Sequence, residues 1–314
     1  MKPLKHKVII DCDPGVDDSA ALVLAFLEPS IDIKMISVVA GNRTLEICTR
    51  NVLHILEKFN LDIPVCKGAE KPLNRNRKDA THIHGVEGMG DYIPPEQPKY
   101  KTTMPGNVED NMYKIIKENP NEIILLVFGP HTNAAKLLTK YPDAAGLLKG
   151  LVFEGGSPFG YKKTKPHISF NISSDPEAAN IVFTSGIKKI VMIPSELGRL
   201  HAHVPYERVM NYRNFGDIGQ FVYSMYDNHW EPGFEDKRIA TNDTCEIMSL
   251  IKPQYFKPMN GRITVDLEDA PGKTFIDFKS KNPNVTVLMK ANGRKINNYI
   301  DKRFNLSKDR KLED

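Results

Sequence analysis

Four aspartates stand within eight residues near the start of the chain, in Asp11-Cys12-Asp13-Pro14-Gly15-Val16-Asp17-Asp18. The apolar run Val8-Ile9-Ile10 precedes them and a second apolar run, residues 20–27, follows. That pattern is a strand, a sharp turn at Pro14-Gly15 and a helix start. Residues two apart on a strand share a face, which aims Asp11 and Asp13 the same way, and Asp17 or Asp18 falls where a helix takes a capping acceptor. The spacing therefore gathers all four carboxylates into one small volume. Two like charges about 4 Å apart near a protein surface repel by roughly 4 kcal/mol, and a helix N-terminus returns only about half a positive charge. A divalent cation offsets such crowding. Oxygen ligands with no His, and no Cys beyond Cys12, select a hard ion, Ca2+ or Mg2+, over zinc. The plainer alternative is a helix cap from Asp17 with the other acids solvated.

The elements that must hold this block recur along the chain. Residues 31–40 read as a second buried strand, ended by Gly41-Asn42-Arg43-Thr44, and 45–59 as a helix. Asn42 thus also sits at a strand's carboxyl end. A short third strand is expected at 63–66. Residues 67–106 form a long stretch rich in glycine, proline and polar residues, expected to be a mobile flap. It carries Thr81-His82-Ile83-His84-Gly85, whose histidines either face a ligand or are ordinary surface residues.

A helix at 108–118 precedes the apolar strand 123–128, and Gly129-Pro130-His131-Thr132-Asn133 turns it into a helix at 134–139, with Thr132 or Asn133 as the natural cap. The next unit runs from strand 150–153 through Glu154-Gly155-Gly156 and a polar loop to Ser169-Phe170-Asn171. Asp175-Pro176 opens a helix with cap and first-turn proline in place. Residues 189–193 form another buried strand. Helices follow at 206–212, 219–230 and 245–251, the last with Asp243 at its start as a cap or as a further acid for the site. Alternation at 263–267 and 285–289 predicts peripheral antiparallel strands, and 294–304 a closing helix. Repeated strand-then-helix units with apolar strands predict an α/β protein: an open, mostly parallel sheet covered by helices on both faces, in one domain over 1–314. Such sheets bind ligands beyond the carboxyl ends of their strands.

Composition narrows the function. Lys and Arg number 43 against 39 Asp and Glu, a net charge of +4, and the basic residues are dispersed. That distribution argues against a nucleic-acid binder. No apolar run approaches a membrane span, and Met1-Lys2-Pro3-Leu4-Lys5-His6-Lys7 leads straight into a strand, so a soluble, cytoplasmic protein without a membrane partner is expected. Cys12, Cys48, Cys66 and Cys245 lack CxxC spacing, which indicates free thiols rather than a disulfide framework or a zinc site.

The aspartate block, Val39-Ala40-Gly41-Asn42, Gly129-Pro130-His131-Thr132-Asn133, Phe170-Asn171 before Asp175-Pro176-Glu177-Ala178-Ala179, and Asn242-Asp243 together resemble the inosine–uridine-preferring nucleoside hydrolase family. The blocks occur in the family's order and span most of the chain. The resemblance implies an open α/β-sheet enzyme that holds Ca2+ and cleaves the N-glycosidic bond of ribonucleosides, commonly as a homodimer or homotetramer. By it, Asp13 activates a water held on the metal, and Asp13, Asp17, Asp18, the Thr132 carbonyl and Asp243 surround the ion. Asn42 and Asn171 hold ribose hydroxyls or shape the pocket, and His84 matches the flap histidine near the leaving base.

The chain departs from the family in three places. Ser169 replaces a ribose-contacting Glu, Lys163 stands where an Asn is usual, and Asn242 replaces the His that protonates the base in purine-cleaving members. An amide is no general acid, and a missing one is worth roughly 10²–10⁴-fold. These departures motivate a second reading, a catalytically weak or inactive ribose- or nucleoside-binding member of the fold. A third, an aspartate-nucleophile phosphatase begun by Asp11-Cys12-Asp13, is disfavoured by Gly15 and has no use for Asp17-Asp18.

Overall fold

The computed structural model describes residues 5–94, 98, 103–158, 168–227, 229–231 and 233–313. The first half of the chain alternates strands and helices: β1 His6–Cys12, α1 Val16–Leu27, β2 Ile31–Val38, α2 Leu45–Lys58, β3 Val65–Lys67, α3 Thr81–His84, α4 Val108–Glu118, β4 Ile123–Val127, α5 Thr132–Lys140, α6 Ala144–Leu147 and β5 Gly150–Glu154. The second half continues with α7 Phe170–Ser174, α8 Pro176–Thr184, β6 Ile190–Ile193, β7 Val204–Pro205, α9 Tyr206–Asn211, α10 Gly216–Tyr226, β8 Arg238–Ile239, α11 Asn242–Ile251, β9 Phe256–Val265, β10 Thr274–Asp277, β11 Val285–Ala291 and α12 Gly293–Leu306.

Nine strands form one sheet in the order β10-β9-β11-β6-β5-β4-β1-β2-β3, and β7 pairs with β8 apart from it. From β3 to β11 neighbouring strands run parallel, whereas β9 is antiparallel to both β11 and β10. The fold is thus the open, mostly parallel sheet expected, with the antiparallel strands at its C-terminal edge. Strand alternation divides the core. Val8, Ile10 and Cys12 pack with α1, α2, α10, α11 and α12, while Ile9 packs with α4, α5 and α8 on the other face. The chain walks from β1 to β2 and β3 on one side, then crosses to β4, β5 and β6 on the other. That reversal opens a crevice beyond the carboxyl ends of β1 and β4.

Several boundaries differ from those the sequence indicated. The helix expected at 134–139 starts at Thr132, and the one expected at 219–230 is Gly216–Tyr226, since a short 3₁₀ turn at Tyr212–Asn214 brings the chain to its start earlier. Of the expected flap 67–106, the described part includes the short helix α3, tied down by Arg43–Asp79 at 3.0 Å and Arg50–Glu87 at 2.6 Å. Lys163 lies outside the described residues.

Asp175 caps α8 as its sequence predicts, accepting from Ala178 N at 3.1 Å. Its other oxygen accepts from Thr132 Oγ1 at 2.7 Å and Leu73 N at 2.8 Å, joining the start of α5 and the segment at Leu73 to α8. Asp175→Ala leaves those donors unpaired at a buried position. It is expected to lower unfolding free energy by about 2 kcal/mol or more, read by urea denaturation; an unchanged midpoint at constant slope contradicts this account.

Candidate active site

The turn after β1 wires the first acids together. Gly15 is the N-cap of α1, and Asp18, at the third helical position, reaches back: its Oδ2 accepts from Gly15 N at 3.1 Å and its Oδ1 from Asp13 N at 3.2 Å. Asp18 therefore closes the helix start while its charge remains at the cavity. Asn42, in the loop after β2, donates its backbone N–H to Asp13 Oδ2 at 2.6 Å and its amide to Asp13 O at 3.1 Å and to Asp18 Oδ2 at 3.2 Å. One asparagine thus orients both acids.

The four aspartates do not converge as their spacing suggested. Asp11 shares a face with Ile9, toward α5, and its Oδ1 accepts from Ser37 Oγ at 2.6 Å and Asn133 Nδ2 at 2.8 Å. Those contacts hold it in the sheet as a structural acid. Asn133, proposed as a cap, instead bridges Asp11, Val38 O and Ala69 N, and α5 has no side-chain cap.

The acid that joins Asp17 and Asp18 is Asp243, brought by the first turn of α11. One carboxylate oxygen from each of these three lies within 4.8 Å of the others. Asp13 stands beside this trio rather than in it, wholly buried, with Oδ1 lacking a hydrogen-bond partner. Its space is made by two glycines: a Cβ at Gly41 would lie 2.1 Å from Asp13 Oδ2, and one at Gly129 would lie 2.5 Å from Oδ1. Gly129→Ala must push the carboxylate aside. A fall in kcat of about 10²-fold is expected, because small displacements of a reacting group cost that much, with the thermal midpoint measured alongside. Full activity in this variant sinks the claim that Asp13 needs its present position.

Burial, then neighbouring negative charge, controls the proton affinities here. Burial and Asp17 push Asp18 up to about 7. Asp13 is raised by burial and Asp18, and Asp243 by burial and Asp17. Asp17 is raised by burial, with His229, backbone hydrogen bonds and Arg199 acting against the rise. These are the conditions a divalent cation reverses, since it favours the ionised form of every carboxylate around it. The donor set, buried Asp18 and Asp243 with half-buried Asp17, whose Oδ1 accepts no hydrogen bond, fits a hard oxygen-seeking ion.

The trio opens on a cavity of about 310 Å3. In its lining Asn171 donates to Glu154 Oε2 at 2.8 Å and to Phe128 O at 2.5 Å, and Ser195 Oγ donates to Glu154 Oε1 at 3.0 Å. Burial raises Glu154 to about 8. The lining also includes His84, His229, Arg199, Glu231 and Asn242. His84 Nδ1 accepts from Val16 N at 3.2 Å, which leaves the ring proton on Nε2, and the ring stacks on His229 with centroids 5.5 Å apart.

Of the residues singled out from sequence, the structure brings Asp17, Asp18, Asn42, His84, Asn171, Asn242 and Asp243 to this cavity. Ser169 does not line it: its Oγ accepts from Gly156 N at 2.7 Å. The Thr132 hydroxyl is committed to Asp175. Sequence reasoning missed Glu154, Arg199, His229 and Glu231. Glu154 carried a usable signal, an acid at a strand's carboxyl end. Arg199 sits on the short π-helical turn Leu197–His201 and the other two in irregular segments, none of which has a periodicity to read.

A family model described as inosine-uridine preferring nucleoside hydrolase matches residues 8–298. The chain belongs to this family. Non-specific ribonucleoside hydrolases RihC from Salmonella paratyphi C (strain RKS4594) and Salmonella typhi are 33% identical over 276 residues, covering 87% of this chain and 88% of theirs. A plant nucleoside hydrolase, PpNRh1, and a purine-preferring ribonucleoside hydrolase from Gardnerella vaginalis each superpose with a TM-score of 0.88 at 24% identity, over 96% of this chain and 99% of theirs. That likeness shows the shared fold. Membership in the nucleoside hydrolase family makes the protein an enzyme that hydrolyses N-glycosyl bonds.

Proposed function

We propose that the protein hydrolyses ribonucleosides to ribose and free base in a Ca2+-dependent reaction, with Asp13 as the base that deprotonates the attacking water. The observation that carries this reading is the trio Asp17, Asp18 and Asp243, two of them buried, opening on a cavity at the sheet's reversal point. These three would hold the ion. When bound, it polarises the attacking water and grips sugar hydroxyls.

The chain's own groups supply the rest. Asn42 and Asn171 flank the trio as hydrogen-bonding groups for the sugar, and Glu154 presents a further polar contact beside Asn171. Asp13 Oδ1, free of any hydrogen bond, accepts the proton of water as its oxygen approaches C1′. The negative charge of the trio favours the positive charge that develops on the ribosyl ring. His84 offers Nε2–H from the flap side.

Ribose release from a panel of purine and pyrimidine nucleosides, with and without chelator, tests the proposal. Turnover that chelator abolishes and Ca2+ restores is the expected result; no release from any nucleoside with Ca2+ bound defeats it. Binding without turnover is favoured by one observation: Asn242 is an amide whose Oδ1 accepts from Gly198 N at 2.8 Å, so it cannot protonate a base. That reading predicts nucleoside recovered intact after prolonged incubation. The oligomer, a homodimer or homotetramer, is to be read by light scattering.

A further inference from the structure

We infer that Glu154 is a positioning residue: it clamps the side-chain amide of Asn171 so that Asn171 meets the substrate with its oxygen, as an acceptor for a sugar hydroxyl. The inference rests on the hydrolytic reading above, in which Asn171 serves the sugar with Glu154 beside it, and it states how the two divide that work.

Three strand ends meet at this amide. Phe128 follows β4, Glu154 ends β5, and Ser195 lies two residues after β6. Asn171, in the first turn of α7, donates from Nδ2 to Phe128 O at 2.5 Å and to Glu154 Oε2 at 2.8 Å. An amide nitrogen carries two N–H donors, and both are spent here on the protein. The orientation follows from chemistry, because a main-chain carbonyl only accepts and so must be met by the amide nitrogen rather than its oxygen. Asn171 Oδ1 accepts from no described residue and is not among the polar atoms sealed from solvent. Since Asn171 lines the cavity, that oxygen is the edge left for a ligand, and a fixed acceptor selects a hydroxyl.

Glu154 is held in its turn. Its Oε1 accepts from Ser195 Oγ at 3.0 Å, and Ser195 N donates to Gly156 O at 3.0 Å, which pins the segment after β6 to the turn after β5. Without Glu154 the amide keeps one tether, Phe128 O, and is free to turn about it. The clamp does not depend on ionisation. Nδ2 only donates, so Oε2 accepts whether or not the carboxyl carries a proton; a proton stands on Oε1, where the Ser195 hydroxyl can receive it. A glutamine at this position reproduces both contacts, its oxygen toward Asn171 and its nitrogen toward Ser195. Methionine has a similar length and reproduces neither.

The test measures ribose release from uridine and inosine, with Ca2+, in wild type, Glu154→Gln, Glu154→Met, Asn171→Ala and the double variant of the last two. Thermal midpoints are measured alongside, and Glu154→Leu takes the place of Glu154→Met if that variant does not fold. Glu154→Gln should stay close to wild type, whereas Glu154→Met should lower kcat/KM by about 10²-fold, the cost of a displaced positioning group. In the Asn171→Ala background, removing Glu154 should cost nothing further, because the two act as one unit. Nucleoside affinity by calorimetry is read through the same cycle. Losses that multiply in the double variant, or a glutamine variant as poor as the methionine one, show that Glu154 acts on its own and overturn the inference. A wild type that binds nucleoside without cleaving it defeats the hydrolytic reading, while the affinity cycle still decides the role of Glu154. A wild type that neither binds nor cleaves either nucleoside overturns both.

Discussion

Asp13→Asn is expected to lower kcat for ribose release by about 10²–10⁴-fold, the usual worth of a positioned general base. The substitution is nearly isosteric, and the amide oxygen can still accept the Asn42 N–H that now reaches Asp13 Oδ2. It also replaces a wholly buried carboxyl whose ionised form burial and Asp18 disfavour, so the thermal midpoint of the ion-free protein should not fall. Because Asp13 lies outside the trio whose oxygens lie within 4.8 Å of one another, Ca2+ affinity by calorimetry should stay within about tenfold of wild type. Undiminished turnover removes Asp13 from the chemistry. A collapse of Ca2+ binding in step with kcat makes it a ligand first and a base second.

Removing the ion should produce the second large effect, and its size should depend on pH. Folded Asp18 holds its proton to about 7, against 3.8 for an unperturbed aspartate, because burial and Asp17 disfavour its charge. Between those two values the native state binds more protons than the unfolded chain, so the ion-free protein loses stability as pH rises through that window, with the loss complete above about pH 7. Asp13 and Asp243 are raised in the same direction and add to the slope. Ca2+ favours the ionised carboxylates, so protons compete with it on the acidic side. The rise in thermal midpoint on adding Ca2+ to chelator-treated protein should therefore be small at pH 5 and largest near pH 8. At 100 times the dissociation constant the gain is about 2.7 kcal/mol, or roughly 4 °C for a chain of this length. A midpoint shift independent of pH, or none with any divalent ion, would falsify the trio as a cation site.

Much of this architecture was legible because local signals agreed with the global fold. The apolar strands, the cap at Asp175 and the acid-rich turn after β1 each have a short-range cause, and all three stand where expected. Asp11 was misplaced because strand alternation fixes its face but not the partners waiting there. Ser37 on β2 and Asn133 on α5, distant in sequence, take up its charge. Thr132 and Asn133 read as caps for the same reason: a hydroxyl or amide at a helix start usually bonds its own helix, but here each has a stronger partner across the fold. Arg199, His229 and Glu231 were invisible because their meaning depends on the cavity they share, and no repeat or turn motif announces it.

The trio draws Asp17 and Asp18 from the first helix of the sheet and Asp243 from a helix near the other end of the sequence, and those two helices pack on each other. An ion held by all three acids would clasp these two helices together across most of the sequence. Neither helix alone carries the complete set of three acids, so retention of a divalent ion would report that α1 and α11 have docked.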